Sequence, residues 1–227
     1  MAAFHMAVNA GADMIELDVR RTRDDQLIVH HDRRLGRTSD GRGAIRNMSA
    51  RDLEQVDAGG WFAARFRRER IPTLLRVFEE LPPRIGINIE VKTDGDSGNK
   101  QSFARLVADA VIRSGRSRVV IVSSFDHRFL ARLHRLAPAV STGALYLPVR
   151  DRLRGFARIR RHTGASMFIC SRAQLRLRVV RNARAAGMTV SVYGVNTPAH
   201  LDVALHAGID GVITDYPGRL LRAFRSL

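Results

Sequence analysis

A chain of 227 residues, 45% hydrophobic and 26% charged, has the composition of a folded globular protein, which excludes disorder and collagen-like repeats. No apolar run reaches the roughly 18 residues that a membrane helix needs, and the first residues lack the pattern of a signal peptide, so a cytoplasmic location is expected. Net charge is +16, and of the 38 basic residues only Lys92 and Lys100 are lysines.

In chain order, short apolar runs predict strands over 14–19 (MIELDV), 27–31 (LIVHH), 85–91 (IGINIEV), 118–124 (RVVIVSS), 140–146 (VSTGALY), 166–170 (SMFIC), 189–195 (TVSVYGV) and 210–215 (DGVITD). Helical spacing fills 99–113, 126–136, 174–186 and 197–207 between them. Gly11, Gly115, Gly187 and Gly208 stand where helix C-caps belong, and Pro72 and Pro198 stand at helix starts. Strands alternating with helices make parallel βαβ units. Their number predicts an α/β fold of the TIM (β/α)8 barrel type, with one hairpin-like strand and functional groups at the C-terminal strand ends. Residues 33–71 break the rhythm and read as an insertion following the E-L-D strand and its LIVHH neighbour. The whole of 1–227 is expected to be one domain. Cys170, the single cysteine, is expected to be a buried free thiol.

Parity on the strands points to chemistry. Ile15, Leu17 and Val19 share one face of MIELDV, and Glu16 and Asp18 the other. The split recurs in IGINIEVK, where Asn88, Glu90 and Lys92 oppose Ile87, Ile89 and Val91. Glu16, Asp18 and Glu90 then crowd one cavity, where three carboxylates either take up protons or bind a cation. Oxygen ligands favour Mg²⁺ or Ca²⁺ over zinc. His31, ending IVHHD, is a candidate general acid or base. His30 has the opposite parity and is assigned to packing or the surface. Lys92 suits a phosphate oxygen. No Walker loop, G-x-G-x-x-G, G-x-S-x-G or paired Cys/His spacing is present, which argues against nucleotide-dependent, serine-hydrolase and zinc chemistry.

Residues 149–184 hold eleven arginines against one acid, Asp151. This is either a solvated helix surface or a patch for anionic headgroups or nucleic acid. Aromatics for base stacking are sparse there, so specific nucleic-acid binding is not expected. A weak contact with anionic membrane surfaces is.

Together, the stretches GADMIELDVRRTRDDQLIVHHDRRLGRTSDGRG, DAGGWF, IPTL, INIEVK, VSSF and VYGVNTPAHLDVALHAGIDGVITDYP resemble the glycerophosphodiester phosphodiesterase family over roughly residues 2–217. The resemblance implies a TIM barrel with a small insertion, one divalent cation, and hydrolysis of a small-molecule glycerophosphodiester to an alcohol and glycerol 3-phosphate. It implies Glu16, Asp18 and Glu90 as metal ligands, His31 as a catalytic histidine, and Lys92 on the phosphate. Tyr193 stands where the family commonly has Trp and keeps an aromatic lining, and Gly194 replaces the usual Thr. The headgroup is expected to be chosen by the 33–71 insertion and the loop after VSTGALY.

Family members also carry a first strand ending in H-R-G, then E-N-T, which supply a second histidine, an arginine and a further carboxylate. Neither motif occurs here. The first barrel strand is therefore expected to be missing, leaving the strands of Glu16 and Thr214 without a partner between them. The 227-residue chain is expected to hydrolyse glycerophosphocholine poorly or not at all. Either the true start lies upstream, or the chain is an inactive barrel that binds anions through its arginine-rich 149–184 surface.

Overall fold

The structure is a computed structural model that describes residues 1–93, 100–147, 151 and 155–226. Its strands are β1 (Met14–Arg21), β2 (Leu27–Val29), β3 (Arg34–Leu35), β4 (Gly43–Ala44), β5 (Gly86–Val91), β6 (Val120–Ser124), β7 (Ser141–Leu145), β8 (Met167–Ser171), β9 (Thr189–Tyr193) and β10 (Gly211–Ile213). All eight predicted strands are present. Seven of them, β1 and β5 to β10, run parallel in the order β10-β9-β8-β7-β6-β5-β1, and β2 adds antiparallel to the outer edge of β1. This is the α/β barrel type. Among the described residues no pairing joins β1 to β10.

The helices are α1 (Ala2–Asn9), α2 (Ala50–Leu53), α3 (Leu74–Glu80), α4 (Lys100–Arg113), α5 (His127–Leu136), α6 (Phe156–Thr163), α7 (Leu177–Ala185), α8 (Pro198–His206) and α9 (Pro217–Phe224). Their starts follow from capping chemistry. Asp126 accepts from the N–H groups of Arg128 and Phe129 at the head of α5, and Thr197 accepts from His200 ahead of Pro198 in α8. Two boundaries differ from expectation. Pro72 does not begin a helix: Thr73 is the cap of α3, and the Pro72 carbonyl instead accepts from the Val29 N–H at 2.9 Å. The helix expected over 174–186 begins at Leu177, because Gln174 closes a 3₁₀ turn back onto the Ser171 N–H. Asn99, expected to open the helix over 99–113, lies outside the described residues. So do 148–150 and 152–154 in the loop after VSTGALY.

The core lies between the sheet and the helices. Ile15, Leu17, Val19, Ile87, Ile89 and Val91 are all buried there, against Val77 and Phe78 of α3 and Phe103, Val107 and Val111 of α4. Burial of each such side chain contributes roughly 1.5–3 kcal/mol. One charged group joins this layer. The buried Arg116 guanidinium donates to the Phe78 carbonyl at 2.7 Å, the Pro82 carbonyl at 3.1 Å and the Leu81 carbonyl, closing the C-terminal end of α3. Carbonyls at a helix end have no intrahelical partner, and a cation there is favourable. Cys170 is buried in β8, and desolvation pushes its thiol up to about 12.

Residues 33–71 form a small unit with its own core of Leu35, Ile45, Leu53, Val56 and Ile71 around Ile28 of β2. The β3–β4 pair and a Ser49–Asp52 capping box ahead of α2 organise it. The expected insertion is therefore a folded unit seated on β2. Among the described residues, no helix is long and apolar enough to cross a membrane.

Candidate active site

The polar face of β1 and that of β5 meet in register. Glu16 is the Cα partner of Asn88, and Asp18 of Glu90. Because both strands keep strict alternation, their apolar residues go to the helix layer and their acids are left on the interior. Glu16, Asp18 and Glu90 each bring one carboxylate oxygen to within 4.8 Å of the others. Lys92, one residue past β5 and on the same parity, places Nζ 3.0 Å from Asp18 Oδ1 and against Glu90 Oε1. Its N–H donates to the Val19 carbonyl at 3.0 Å, which carries the β1–β5 ladder one step further.

These groups set one another's charge. Burial, then the neighbouring Asp18 and Glu90, push Glu16 up to about 8. Glu90 is also raised, mainly by burial, with Lys92 acting against the rise. Burial works against the Lys92 ammonium, but Asp18 and Glu90 outweigh it and hold the lysine above its usual value. One lysine thus faces three carboxylates, and burial together with the remaining negative charge is what raises Glu16. A hard divalent cation fits this oxygen-only set on charge and on donor type.

His31 lies just beyond β2, 61% exposed at its side chain. Two contacts orient it. The buried Arg20 guanidinium, on the same parity of β1 as Glu16 and Asp18, donates to the His31 carbonyl at 2.9 and 2.7 Å. Asp32 Oδ1 stands 2.7 Å from His31 Nδ1. Arg37 first and His31 second hold the Asp32 carboxyl far below the usual carboxylate range. An ionised carboxylate only accepts, so Nδ1 carries the proton and Nε2 is the basic nitrogen. His31 also acts electrostatically on Glu90, against the rise that burial causes. His30 is buried, its N–H donating to the Asp18 carbonyl, as its parity implies.

Tyr193 ends β9 as the Cα partner of Ser171, and burial raises its phenol above the usual value. The structure also joins the loop segments NTP and TDYP, which follow the last two strands. Asn196 donates to Asp215 Oδ2 at 2.7 Å and accepts from the Asp215 N–H at 3.0 Å and the Thr214 hydroxyl at 3.1 Å. Asp215 in turn adds to the negative field that raises Glu16. Arg20 could have been found from its parity, two residues past Asp18. The Asn196 clamp has no signal in spacing, since it joins two loops.

With this geometry in place, comparison with known proteins decides the family. A sequence model of the glycerophosphoryl diester phosphodiesterase family matches residues 1–219. The chain belongs to that family. A glycerophosphodiester phosphodiesterase of Caldanaerobacter subterraneus subsp. tengcongensis is 31% identical over 229 residues, covering 99% of this chain and 91% of the relative. The crystal structure of glycerophosphodiester phosphodiesterase from Agrobacterium tumefaciens superposes with a TM-score of 0.82 at 29% identity, over 97% of this chain and 91% of that one. An Oleispira antarctica phosphodiesterase in complex with the product sn-glycerol-3-phosphate gives 0.88 at 25% identity, over 99% and 90%. The phosphodiesterase family is thus matched in sequence and in fold along almost the whole chain.

The arginine-rich 149–184 segment is dispersed by comparison. Arg150, Arg152 and Arg154 lie outside the described residues. Arg160 donates to the Ala186 carbonyl at 2.8 Å, Arg176 to the carbonyls of Ala173 and Leu175, and Arg184 pairs with Asp210 at 2.8 Å.

Proposed function

We propose that this chain is a metal-dependent phosphodiesterase that hydrolyses glycerophosphodiesters to an alcohol and glycerol 3-phosphate. The observation that carries this reading is the convergence of Glu16, Asp18 and Glu90 with Lys92 at the ends of β1 and β5. The three carboxylates hold one divalent cation, Mg²⁺ or Ca²⁺, which supplies Lewis acidity toward phosphate oxygens. Lys92 leaves its ion pairs to meet a phosphate oxygen, a point charge suited to an anion that presents several equivalent oxygens. His31, with Nδ1 held by Asp32, removes at Nε2 the proton of the attacking hydroxyl, either the substrate's own glycerol hydroxyl or a water. The P–O bond to the alcohol breaks as the new one forms, and the departing alkoxide takes a proton from solvent. Where the glycerol hydroxyl attacks, water then opens the cyclic phosphate. Tyr193 lines the cavity with an aromatic face. The named relatives and the product-bound Oleispira enzyme support the substrate class.

The test is release of glycerol 3-phosphate from glycerophosphocholine and glycerophosphoethanolamine with added Mg²⁺ or Ca²⁺. Cation-dependent release is expected. It should fall roughly 10²- to 10⁴-fold in His31→Ala, the range for loss of a general base. No release from either substrate with either cation would overturn the proposal and leave the inactive anion-binding barrel.

A further inference from the structure

The 33–71 insertion presents a surface that neither the barrel nor its own small core absorbs. Trp61 is 54% and Phe62 67% exposed, although Leu53, Val56 and Ile71 of the same unit are buried. Their rings meet edge to face at 5.7 Å, and Phe62 leans on Phe66 at 5.8 Å. Arg65, Arg67 and Arg68 follow on the same loop, all exposed, with the Arg65 guanidinium 4.9 Å from the centre of the Phe66 ring. No acidic residue occurs from Ala58 to Arg68.

The loop that carries these side chains is firmly built. The Asp57 carboxylate accepts from the N–H groups of Gly59 at 2.9 Å, Gly60 at 2.6 Å and Arg68 at 2.6 Å. The Ala58 N–H donates to the Glu69 carbonyl at 2.8 Å, closing the base of the loop. The Trp61 indole donates to the Ala58 carbonyl at 3.0 Å. Gly59 is packed so closely on the Phe66 carbonyl that any side chain there would collide with it. The aromatics are therefore held outward at little further entropic cost on binding.

A single exposed aromatic is ordinary on a protein surface. Two adjacent exposed ones, on a loop that carries three exposed arginines and no intervening acid, match the chemistry of an anionic lipid interface. Indole and phenyl rings settle at headgroup level, and the Trp61 N–H already has its acceptor, so entry leaves no donor unmet. We propose that the 57–69 loop docks the protein on an anionic bilayer surface. Trp61 and Phe62 enter the headgroup region, and Arg65, Arg67 and Arg68 meet lipid phosphates. This contact is separate from the arginines of 149–184 and does not depend on the hydrolytic reading.

Trp61 is the only tryptophan in the chain, so emission excited at the red edge of absorption, which spares the three tyrosines, reports on this loop alone. Titration with vesicles of phosphatidylcholine and phosphatidylglycerol in equal parts should shift the emission to the blue. Brominated acyl chains should quench it, and vesicles of phosphatidylcholine alone should leave it unchanged. The Arg65→Gln, Arg67→Gln, Arg68→Gln triple variant should partition about a hundredfold more weakly, from the usual contribution of each basic residue near such a surface. Emission that stays fixed at saturating anionic vesicles overturns the proposal, even if the protein sediments with them, because binding then runs through another surface. A blue shift that follows protein concentration without lipid also overturns it and gives the patch to a second copy of the chain. So does a shift produced by duplex DNA and not by vesicles. The deciding readout comes from the unmodified protein, so it does not rest on the folding of any variant.

Discussion

The ends of β1 and β5 and the helices α6 and α7 both concentrate charge of one sign, and they do so with opposite results. At the strand ends three carboxylates are drawn from water by the sheet that carries them, and Glu16 is pushed up to about 8. On α6 and α7 the described arginines stand largely in solvent, and two of them turn inward, Arg160 to the Ala186 carbonyl and Arg184 to Asp210. The number of charges favours the helices. Burial and convergence favour the strands, and these are what raise the interaction energy between charges. Charge enclosed by the fold is a better marker of chemistry here than charge counted along the chain.

The sharpest way to break this contrast is to neutralise each side in turn. Glu16→Gln is expected to lower cation-dependent release of glycerol 3-phosphate roughly 10²- to 10³-fold, the scale of losing one preorganised electrostatic group. Arg178→Gln together with Arg181→Gln should stay within about twofold, since exposed charges are screened by water and salt. Comparable losses in steady-state kcat/KM from the two variants would remove the distinction.

The pH dependence of stability comes next. Glu16 titrates near 8 in the folded chain against an ordinary 4.5. The folded state therefore holds this proton more tightly than the unfolded state does. The stability it contributes is complete below the ordinary value and is lost as pH rises through about 8. In chelator the urea midpoint should fall across that window. With saturating Mg²⁺ the fall should flatten, because the cation takes the place of the proton. Matching pH profiles in chelator and in Mg²⁺ would exclude a cation at Glu16.

A smaller effect separates enclosed from solvated arginine. Arg116→Met should cost about 2 kcal/mol in urea denaturation, because the carbonyls of Phe78, Leu81 and Pro82 lose their shared donor. Arg178→Ala should stay within about 0.5 kcal/mol.

Much of the site could be read before the fold was known because β1 and β5 keep strict alternation. Period-two parity sorts Ile15, Leu17 and Val19 from Glu16 and Asp18 with no knowledge of neighbouring strands. Their meeting with Glu90 and Lys92 then needs only that β1 and β5 pair. What escaped the reading depends on contacts between loops or on a side chain meeting a backbone. Arg20 steadies His31 through a carbonyl, and every residue type has one. Asn196 ties the end of β9 to Thr214 and Asp215 across eighteen or more positions. Pro72 looked like a helix opener but serves as an acceptor for β2, because Thr73 one residue later caps better. The exposure of Trp61 and Phe62 was equally hidden, since an aromatic pair beside a small apolar unit reads as part of its core.

Cys170 has a consequence for measuring how this protein moves. The chain's single thiol lies behind its covering helices and is held protonated up to about 12, so it is chemically silent while the sheet stays covered. An alkylating reagent can reach it only during excursions that lift those helices, and each such event leaves a permanent mass tag. The rate of tagging is a built-in clock for how often that half of the barrel breathes, readable by mass spectrometry without adding a probe.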